Sequence, residues 1–363
     1  MPCWRMPWQN NIGPIGLDLG ADTPRAMQVR LGVDEPRIRT TARIEPAADL
    51  VERARAAANA MRRERFVGRE VVVGLPSPFA RMHVARLPAL VGTDLHEAVA
   101  WEASERSAMP RETIVADSVP TGAPQAGTDG REEQLVVSAN IVELEAALDV
   151  LIDAGFEPIS VEPRFAAIAR ALGRRTRRDA DLTNIRAVLH IENFGSTVLV
   201  LRGDRIAFCR EIALGGDALD HAVSTRLAIP LGSASVLRAR RIAAIRGVAP
   251  TVDAVAEEAA LAATRPTIDA IAGELALCLR YFGVTFRGGQ PSRVILSGPH
   301  SFEPRLAGII EETCRASVGA FEAELPTATA TDANFQREGA ATWIAAYGLS
   351  CRGRYSRGNG VAA

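Results

Sequence analysis

Residues 15–30, IGLDLGADTPRAMQVR, constrain the fold of this chain more than any other stretch. An apolar strand runs into Asp18-Leu19-Gly20, a turn spans 21–24, and Arg25 begins a second apolar strand. The pattern predicts a β-hairpin whose tip carries a carboxylate and a glycine. A glycine lets backbone N–H groups approach an anion closely, and a carboxylate can hold the metal ion that accompanies a phosphate. Six residues at a tip are equally typical of an ordinary turn, so the meaning of this hairpin depends on the rest of the chain.

The sequence contains no lysine, so that all 42 of its basic residues are arginines. A P-loop, a pyridoxal-phosphate Schiff base and a protein-kinase active site are therefore excluded, because each needs a lysine amine. A nucleotide site in this chain must rely on glycines and carboxylates. The formal net charge of -1 gives no electrostatic reason to expect nucleic acid or an anionic membrane as a partner.

Length and residue spacing indicate a large folded protein of a reducing compartment. A chain of 363 residues exceeds one ordinary core and predicts two domains or a bilobal fold. The five cysteines and five histidines are isolated from one another, which predicts neither a disulfide framework nor a metal site. No apolar run approaches the roughly 18 residues of a membrane span, and the N-terminal stretch lacks the apolar core of a signal peptide. We therefore expect a cytoplasmic protein with no direct membrane insertion.

The order of apolar strands and amphipathic helices predicts an α/β protein with two lobes. The first lobe is expected at 12–80 and 159–173, and the second at 184–352. The arginine-rich stretch between the lobes reads as a polar linker. The terminal segments 1–11 and 353–363 are predicted to be flexible tails.

Each lobe carries one feature of its own. Within the first lobe, residues 81–158 contain the order strand, helix, strand, strand, which predicts a small inserted α+β module. Within the second lobe, residues 233–286 are predicted to be mostly helical and interrupted at Gly247, Pro250 and Pro266. We expect these helices to form a subdomain of the second lobe.

The two lobes also begin alike, since residues 187–212 predict a β-meander whose polar Gly-Ser-Thr tip corresponds to the tip of the first hairpin. Two such lobes with an inserted module resemble the actin-like fold, with its ribonuclease H-like lobes. More narrowly, the chain resembles the PilM family, the actin-like component of the type IV pilus inner-membrane platform, and its FtsA-related cousins. The resemblance covers about residues 15–352 and rests on the order of IGLDLG, VVVGLPSPFARMHVARLP, LHEAVAWEASERSAMP, AGFEPISVEPRFAAIARAL, CREIALGGDALDHAV, RVILSG and GAATWIAAYGLSCR.

This resemblance implies a nucleotide site between the lobes, formed by one phosphate hairpin from each lobe and by further segments around the adenosine. Mg-ATP is the cofactor that such a site would hold. Matching the motifs of the family onto this chain identifies the candidate nucleotide-binding residues Asp18, Gly20, Thr23, Arg25, Gly195, Ser196, Thr197, Gly215, Gly216, Glu274, Ser297 and Gly298.

Several positions depart from those motifs. Arg25 replaces the usual lysine, and His190-Ile191-Glu192 replaces Asp-x-Gly, so that a glutamate lies where backbone should approach phosphate. The ribose motif Ala-Glu-x-x-Lys reads Ala234 to Arg238 with serine for glutamate, and the Glu-x-x-Arg motif has leucine for arginine. Pro299 ends the Ser-Gly-Gly adenine loop and removes an N–H from it. These changes predict weak or lost Mg-ATP binding and a protein that is not an enzyme.

The resemblance also implies partners. PilM-like proteins hold the N-terminal cytoplasmic peptide of a single-pass inner-membrane protein, PilN, and contact other pilus platform proteins. A location peripheral to the inner membrane, through such a partner, is therefore expected. An extended peptide binds through backbone pairing and apolar pockets. The candidate partner-binding residues are Leu75, Leu87, Pro88 and Val99, while Trp101 is expected in the core of the module.

Three alternatives stay open on the sequence. The platform could belong to a type IV pilus or to a type II secretion system. An active actin-like ATPase or sugar-kinase-type phosphotransferase is the alternative function, which the changes at His190 and Glu192 disfavour. An FtsA-like membrane-tethered filament would need a C-terminal amphipathic helix, and the stretch RGRYSRGNGVAA is too short and too rich in glycine to form one.

Overall fold

The computed structural model describes residues 12–20, 23–31, 36–77, 79–121, 130–173, 183–250, 253–286, 289–291, 293–321 and 333–352. The predicted tails and nearly all of the predicted linker lie outside these ranges. The described part of the chain is an α/β protein with three sheets, two of five strands and one of three.

The first lobe is built on one of the five-stranded sheets. Its strands are β1 (Ile15–Asp18), β2 (Arg25–Arg30), β3 (Arg37–Arg43), β4 (Glu70–Leu75) and β8 (Glu157–Pro163), in the order β3-β2-β1-β4-β8. β1, β2 and β3 are antiparallel neighbours, whereas β4 and β8 continue the sheet in parallel. Every residue of β1 is buried, as expected for a central strand covered on both faces. The helices α1 (Leu50–Arg63) and α3 (Ile141–Asp153) pack against each other and share a core with β1 and β4.

The second lobe repeats this topology strand for strand. Its sheet consists of β9 (Ile185–Ile191), β10 (Ser196–Arg202), β11 (Arg205–Ile212), β12 (Arg293–Ser297) and β13 (Ser317–Ala320), in the order β11-β10-β9-β12-β13. Here too the first three strands are antiparallel neighbours and the last two run parallel to the first. The two-lobed α/β architecture predicted from the sequence is therefore confirmed.

The helices of the second lobe are α5 (Gly216–Leu227), α6 (Leu231–Ile245), α7 (Ala254–Thr285) and α8 (Leu306–Cys314). The break predicted near Gly247 and Pro250 falls between α6 and α7, but the break predicted at Pro266 is wrong. α7 runs through Pro266 without ending. Its buried face, which includes Ile271 and Phe282, packs into the core of the lobe, and this burial outweighs the local cost of one proline.

The inserted module has its own sheet and core. Its elements are β5 (Arg81–Pro88), α2 (Thr93–Ser107), β6 (Ile114–Pro120) and β7 (Arg131–Asn140), with the strand order β5-β7-β6. Leu87, Val99 and Val136 lie in the core between α2 and the sheet. Since α3 packs against α1 and β8 joins the first sheet, the separate sheet of the module covers only 81–140 of the predicted 81–158.

Two helices lie between the lobes. They are α4 (Arg164–Gly173) and α10 (Ala340–Ser350), and the short helix α9 (Ala333–Glu338) precedes α10. α10 closes the predicted second lobe in sequence, yet it packs against α4, β1 and β2 of the first lobe. Gly16 permits this approach, because a Cβ there would meet the Ala346 carbonyl and would lie 2.9 Å from the Leu349 Cβ. One core cluster thereby joins side chains of both sheets.

Candidate functional site

The tips of the two hairpins face each other across the cleft between the lobes. Asp18 ends β1 in the first lobe, and Glu192 follows β9 in the second. Both carboxylates contact one side chain that sequence reasoning missed, the guanidinium of Arg164. The geometry of the site depends on this arginine.

Arg164 is the first residue of α4 and directly follows Pro163. Its side chain is 6% exposed, and its Nε and Nη2 atoms each lie 2.9 Å from Asp18 Oδ1. Its Nη1 contacts Glu192 Oε1. A Cβ at Gly20 would lie only 2.6 Å from Arg164 Nη2, so the glycine makes room for a guanidinium. An arginine that starts an otherwise apolar helix after a proline was the available signal in the sequence.

The second tip contains a buried neutral histidine. His190 Nδ1 forms a hydrogen bond with Ser297 Oγ at 3.0 Å, and His190 Nε2 lies 3.3 Å from Glu192 Oε1. Burial, followed by the Arg164 and Arg25 guanidinium charges, holds the pKa of His190 well below its usual range. The imidazole therefore cross-links β9, β12 and the tip as an uncharged group.

The glycines predicted around the phosphates serve backbone packing. A Cβ at Gly195 would lie 2.9 Å from the Ile212 carbonyl oxygen, and one at Gly215 would lie 2.7 Å from the Gly195 nitrogen. Gly298 has a φ of +92°, and a Cβ there would lie 2.8 Å from the Ile191 nitrogen. These three predicted residues thus converge on the second tip, where main chain meets main chain.

The hydroxyl residues and Arg25 have other partners. Ser196 Oγ donates to the Leu214 carbonyl at 2.6 Å, and Thr197 lines the cleft. Arg25 donates from Nε to Glu338 Oε2 at 2.9 Å and from Nη1 to the Thr23 carbonyl at 2.8 Å. Its guanidinium is therefore held by α9 and by its own hairpin.

The region matching the ribose and adenine motifs holds a buried ionic cluster. Arg238 is 2% exposed, and it donates to Asp220 Oδ1 at 2.6 Å and to Glu303 Oε2 at 2.8 Å. The imidazole of His300 lies against Gly216, so that a Cβ there would meet the ring and displace it. Burial, then the charges of Arg238 and Arg25, lowers the pKa of His300 to about 3. Sequence reasoning missed His300 and Glu303, because their contacts depend on loop geometry.

Among the described residues, two cavities lie beside these clusters of side chains. A cavity of about 550 Å³ opens between the lobes, where Phe79 of the first lobe and Phe194 of the second both line it. Ser77 Oγ donates to Glu211 Oε2 across it at 3.3 Å, and burial raises the pKa of Glu211. The second cavity, of about 240 Å³, is lined by Arg25, Ser235, Arg238, Pro299, His300 and Glu338 among others.

Several of the predicted nucleotide-binding and partner-binding residues do not lie where those roles would place them. Glu274 lies on α7 beside Cys278, and no contact among the described residues joins it to the tips. Leu75, Leu87 and Val99 are buried in apolar cores, so these three predicted partner-binding residues are not available to a peptide. Pro88 is exposed, as that role requires.

Trp101, which was expected in the core of the module, is 58% exposed on α2. The expectation is wrong because Val99 and Ala103 already provide the inward face of that helix. Residues 99 and 103 are four positions apart and share one face of the helix, so residue 101, midway between them, lies on the opposite face. None of the helices in the described part of the chain is long and apolar enough to cross a membrane.

Solved structures share this fold. The PilM-PilN type IV pilus biogenesis complex matches with a TM-score of 0.75 at 20% identity, over 94% of this chain and 99% of that chain. The ethanolamine utilization protein EutJ from Carboxydothermus hydrogenoformans matches with a TM-score of 0.52 at 13% identity, over 93% and 88%. The cytoplasmic domain of EpsL, an inner membrane component of the type II secretion system of Vibrio cholerae, has a TM-score of 0.37 at 15% identity, over 60% of this chain and 76% of that chain.

No family model and no curated protein matches the sequence. The structural likeness nevertheless establishes the fold over nearly the whole chain. The protein has the bilobal actin-like fold, and its fold is similar to that of PilM, as the order of sequence motifs predicted.

Proposed function

We propose that this protein is a non-enzymatic scaffold of a bacterial inner-membrane platform, of a type IV pilus or of a related type II secretion system. In this role it binds the cytoplasmic N-terminal peptide of a PilN-like single-pass membrane partner, and ATP binding is weak or lost. The position of Arg164 between the two hairpin tips is the observation that carries the loss of nucleotide binding.

The arrangement of side chains around the tips supports this loss of Mg-ATP binding. The guanidinium of Arg164 fills the space beside Gly20, and His300 covers Gly216. The group formed by Asp18, Glu192 and Arg164 carries two negative charges and one positive, so its net charge opposes a polyanion. At a separation of about 4 Å, one such repulsion costs about 1 to 4 kcal/mol in a partly solvated site.

The likeness to the PilM-PilN complex supports the partner class. The module offers a surface for an extended peptide, because β6 is an outer strand of its sheet. Val115 and Val119 on β6 are 40% and 43% exposed, on the face of the sheet opposite α2, since Ile114 and Ala116 pack against that helix. Backbone pairing along β6, with apolar side chains received beside it, would hold the peptide. Through this contact the protein would lie at the cytoplasmic face of the inner membrane.

Calorimetric titration with a synthetic peptide tests the scaffold role. The probe is the cytoplasmic N-terminal segment of a PilN-like single-pass membrane protein from the same genome. We expect saturable binding that Val115→Glu weakens at least about tenfold, since a charge would have to be buried against the apolar side chains of the bound strand. Val142→Glu is the matched control, because Val142 is 61% exposed on α3, outside the module sheet. Equal loss in both variants, or no binding by the wild type, would contradict the proposal.

Titration with Mg-ATP separates this proposal from the alternative of an active ATPase or phosphotransferase. We expect no saturable heat at millimolar nucleotide and no phosphate release above that of buffer. Micromolar binding, or turnover that Asp18→Asn abolishes, would contradict the loss of the nucleotide site and support the enzymatic alternative.

A further inference from the structure

We propose that Arg164 is a built-in tether that holds the two lobes closed without a bound ligand. The side chain links a carboxylate of the first lobe to a carboxylate of the second. This inference concerns the geometry of the lobes and stands whether or not a partner peptide binds.

The link runs between the lobes because its ends belong to different sheets. α4 follows β8 of the first sheet directly, and Asp18 ends β1 of that same sheet. Both contacts of Arg164 with Asp18 are therefore internal to the first lobe and fix the direction of the guanidinium. Glu192 follows β9 of the second sheet, so its contact with Arg164 closes the cleft.

The position of Arg164 in its helix increases its need for counter-ions. The N-terminus of a helix carries a partial positive charge, which disfavours a cation there. Arg164 is the first residue of α4 and is almost fully buried, so it lacks water as an alternative partner. Asp18 is equally buried, whereas the Glu192 side chain is 21% exposed. Opening the cleft would remove Glu192 from a desolvated guanidinium, which is costly.

The cleft contains a second polar contact between the lobes that serves as an internal comparison. Ser77 lies after β4 of the first lobe, and Glu211 lies on β11 of the second. Their hydrogen bond is exposed, and its length of 3.3 Å exceeds the 2.9 Å of the contacts between Arg164 and Asp18. It involves no buried charge pair, so we expect it to contribute little to closure. Glu192 and Glu211 are thus two carboxylates of one cavity with different roles.

Pulsed electron spin resonance on the full chain measures the opening of the cleft. Spin labels are placed at Ala48→Cys and Ala213→Cys, two exposed positions that line the cavity from opposite lobes. Cys3 and Cys314 are replaced by serine to prevent background labelling, since Cys209, Cys278 and Cys351 are buried. The variants are Glu192→Gln and, as the matched control, Glu211→Gln. Circular dichroism confirms that each variant is folded.

We expect the wild type and Glu211→Gln to give one narrow distance distribution that Mg-ATP does not change. Glu192→Gln keeps the shape of the side chain but removes its charge, and we expect a second, longer distance with at least about a tenfold rise in the ratio of open to closed molecules. Arg164→Lys keeps the charge without the paired contacts and should give an intermediate ratio.

Two results would overturn the tether. One is a distribution for Glu192→Gln that equals those of the wild type and of Glu211→Gln. The other is a wild type that is already broad and that Mg-ATP narrows, because a ligand would then supply the closure. Neither result depends on peptide binding, so the scaffold role and the tether can fail separately.

Discussion

The two hairpin tips share one backbone plan and use it in opposite ways. In each lobe an antiparallel hairpin leads from the central strand, and a parallel strand lies on the other side. The first tip has Asp18 and Gly20 where the second has His190 and Glu192. The first tip therefore leaves a gap beside its carboxylate, whereas the second extends a carboxylate into the cleft.

The difference teaches that the two tips complement each other through Arg164. The gap at Gly20 accommodates the guanidinium, and Glu192 provides its second counter-ion. A glutamate at that position would repel a phosphate, but it stabilises an arginine. The glutamate in the second tip is thus explained by a residue of the first lobe that is distant in sequence.

The largest expected effect is that of removing the shared cation. Arg164→Met leaves Asp18 and Glu192 without their common partner, and we expect the free energy of unfolding to fall by about 3 to 5 kcal/mol. Urea denaturation measures this loss. Arg265→Met is the matched control, because Arg265 pairs with Asp269 at the surface of α7 and should cost less than about 0.5 kcal/mol. Similar losses of unfolding free energy in both variants would show that the ion pairs of Arg164 contribute no more to stability than a surface pair.

A second prediction compares Gly20 of the first tip with Gly298, which follows β12 and packs against the second tip. Gly298→Ala places a Cβ against the main chain of Ile191 at a positive φ, and we expect a loss of about 2 kcal/mol or more in unfolding free energy. Gly20→Ala meets only the end of the Arg164 side chain, so we expect about 1 kcal/mol. Denaturation of Gly20→Ala in the Arg164→Met background should show almost no further loss. A full additional loss there would mean that Gly20 is required by the backbone alone.

The smallest expected effect is the pH dependence of stability that arises from His190 in the second tip and from His300 near it. His190 and His300 have lowered pKa values in the folded protein, about 3 for His300, while the unfolded values lie near 6.5. Between these pKa values the two histidines are protonated in the unfolded state but neutral in the folded state. Stability is therefore retained above pH 6.5 and falls as the pH decreases, by about 1.4 kcal/mol per pH unit for each histidine.

Denaturation at pH 7.5 and pH 5.5 checks this sign. His300→Gln should reduce the difference between the two pH values by about 1 kcal/mol, because one of the two groups is removed. His221→Gln is the control, since His221 is largely exposed on α5. An unchanged pH dependence in His300→Gln would show that this histidine accepts a proton without a penalty.

Local patterns in the sequence predicted the elements around the site well. The strand before Asp18, the meander at 187–212 and the break near Pro250 all depend on alternation or on turn residues, which act over a few positions. The predicted helix break at Pro266 is wrong because the burial of α7, which keeps the helix continuous, depends on the packing of the whole lobe. The apolar character of Leu87 and Val99 predicts partner-binding residues, but the same character buries both side chains in the core of the module.

The sequence by itself determined the two-lobed plan, the hairpin tips and the absence of any lysine chemistry, because these follow from periodicity, glycine positions and composition. It also indicated that His190 and Glu192 in the second tip do not suit a phosphate. Only the tertiary structure decided what these residues do, since Arg164, Glu192 and His300 come from separate elements and their contacts are not encoded by spacing. Charges interact through space rather than along the chain, so a glutamate that appears unfavourable in sequence becomes a partner once α4 brings the arginine to it.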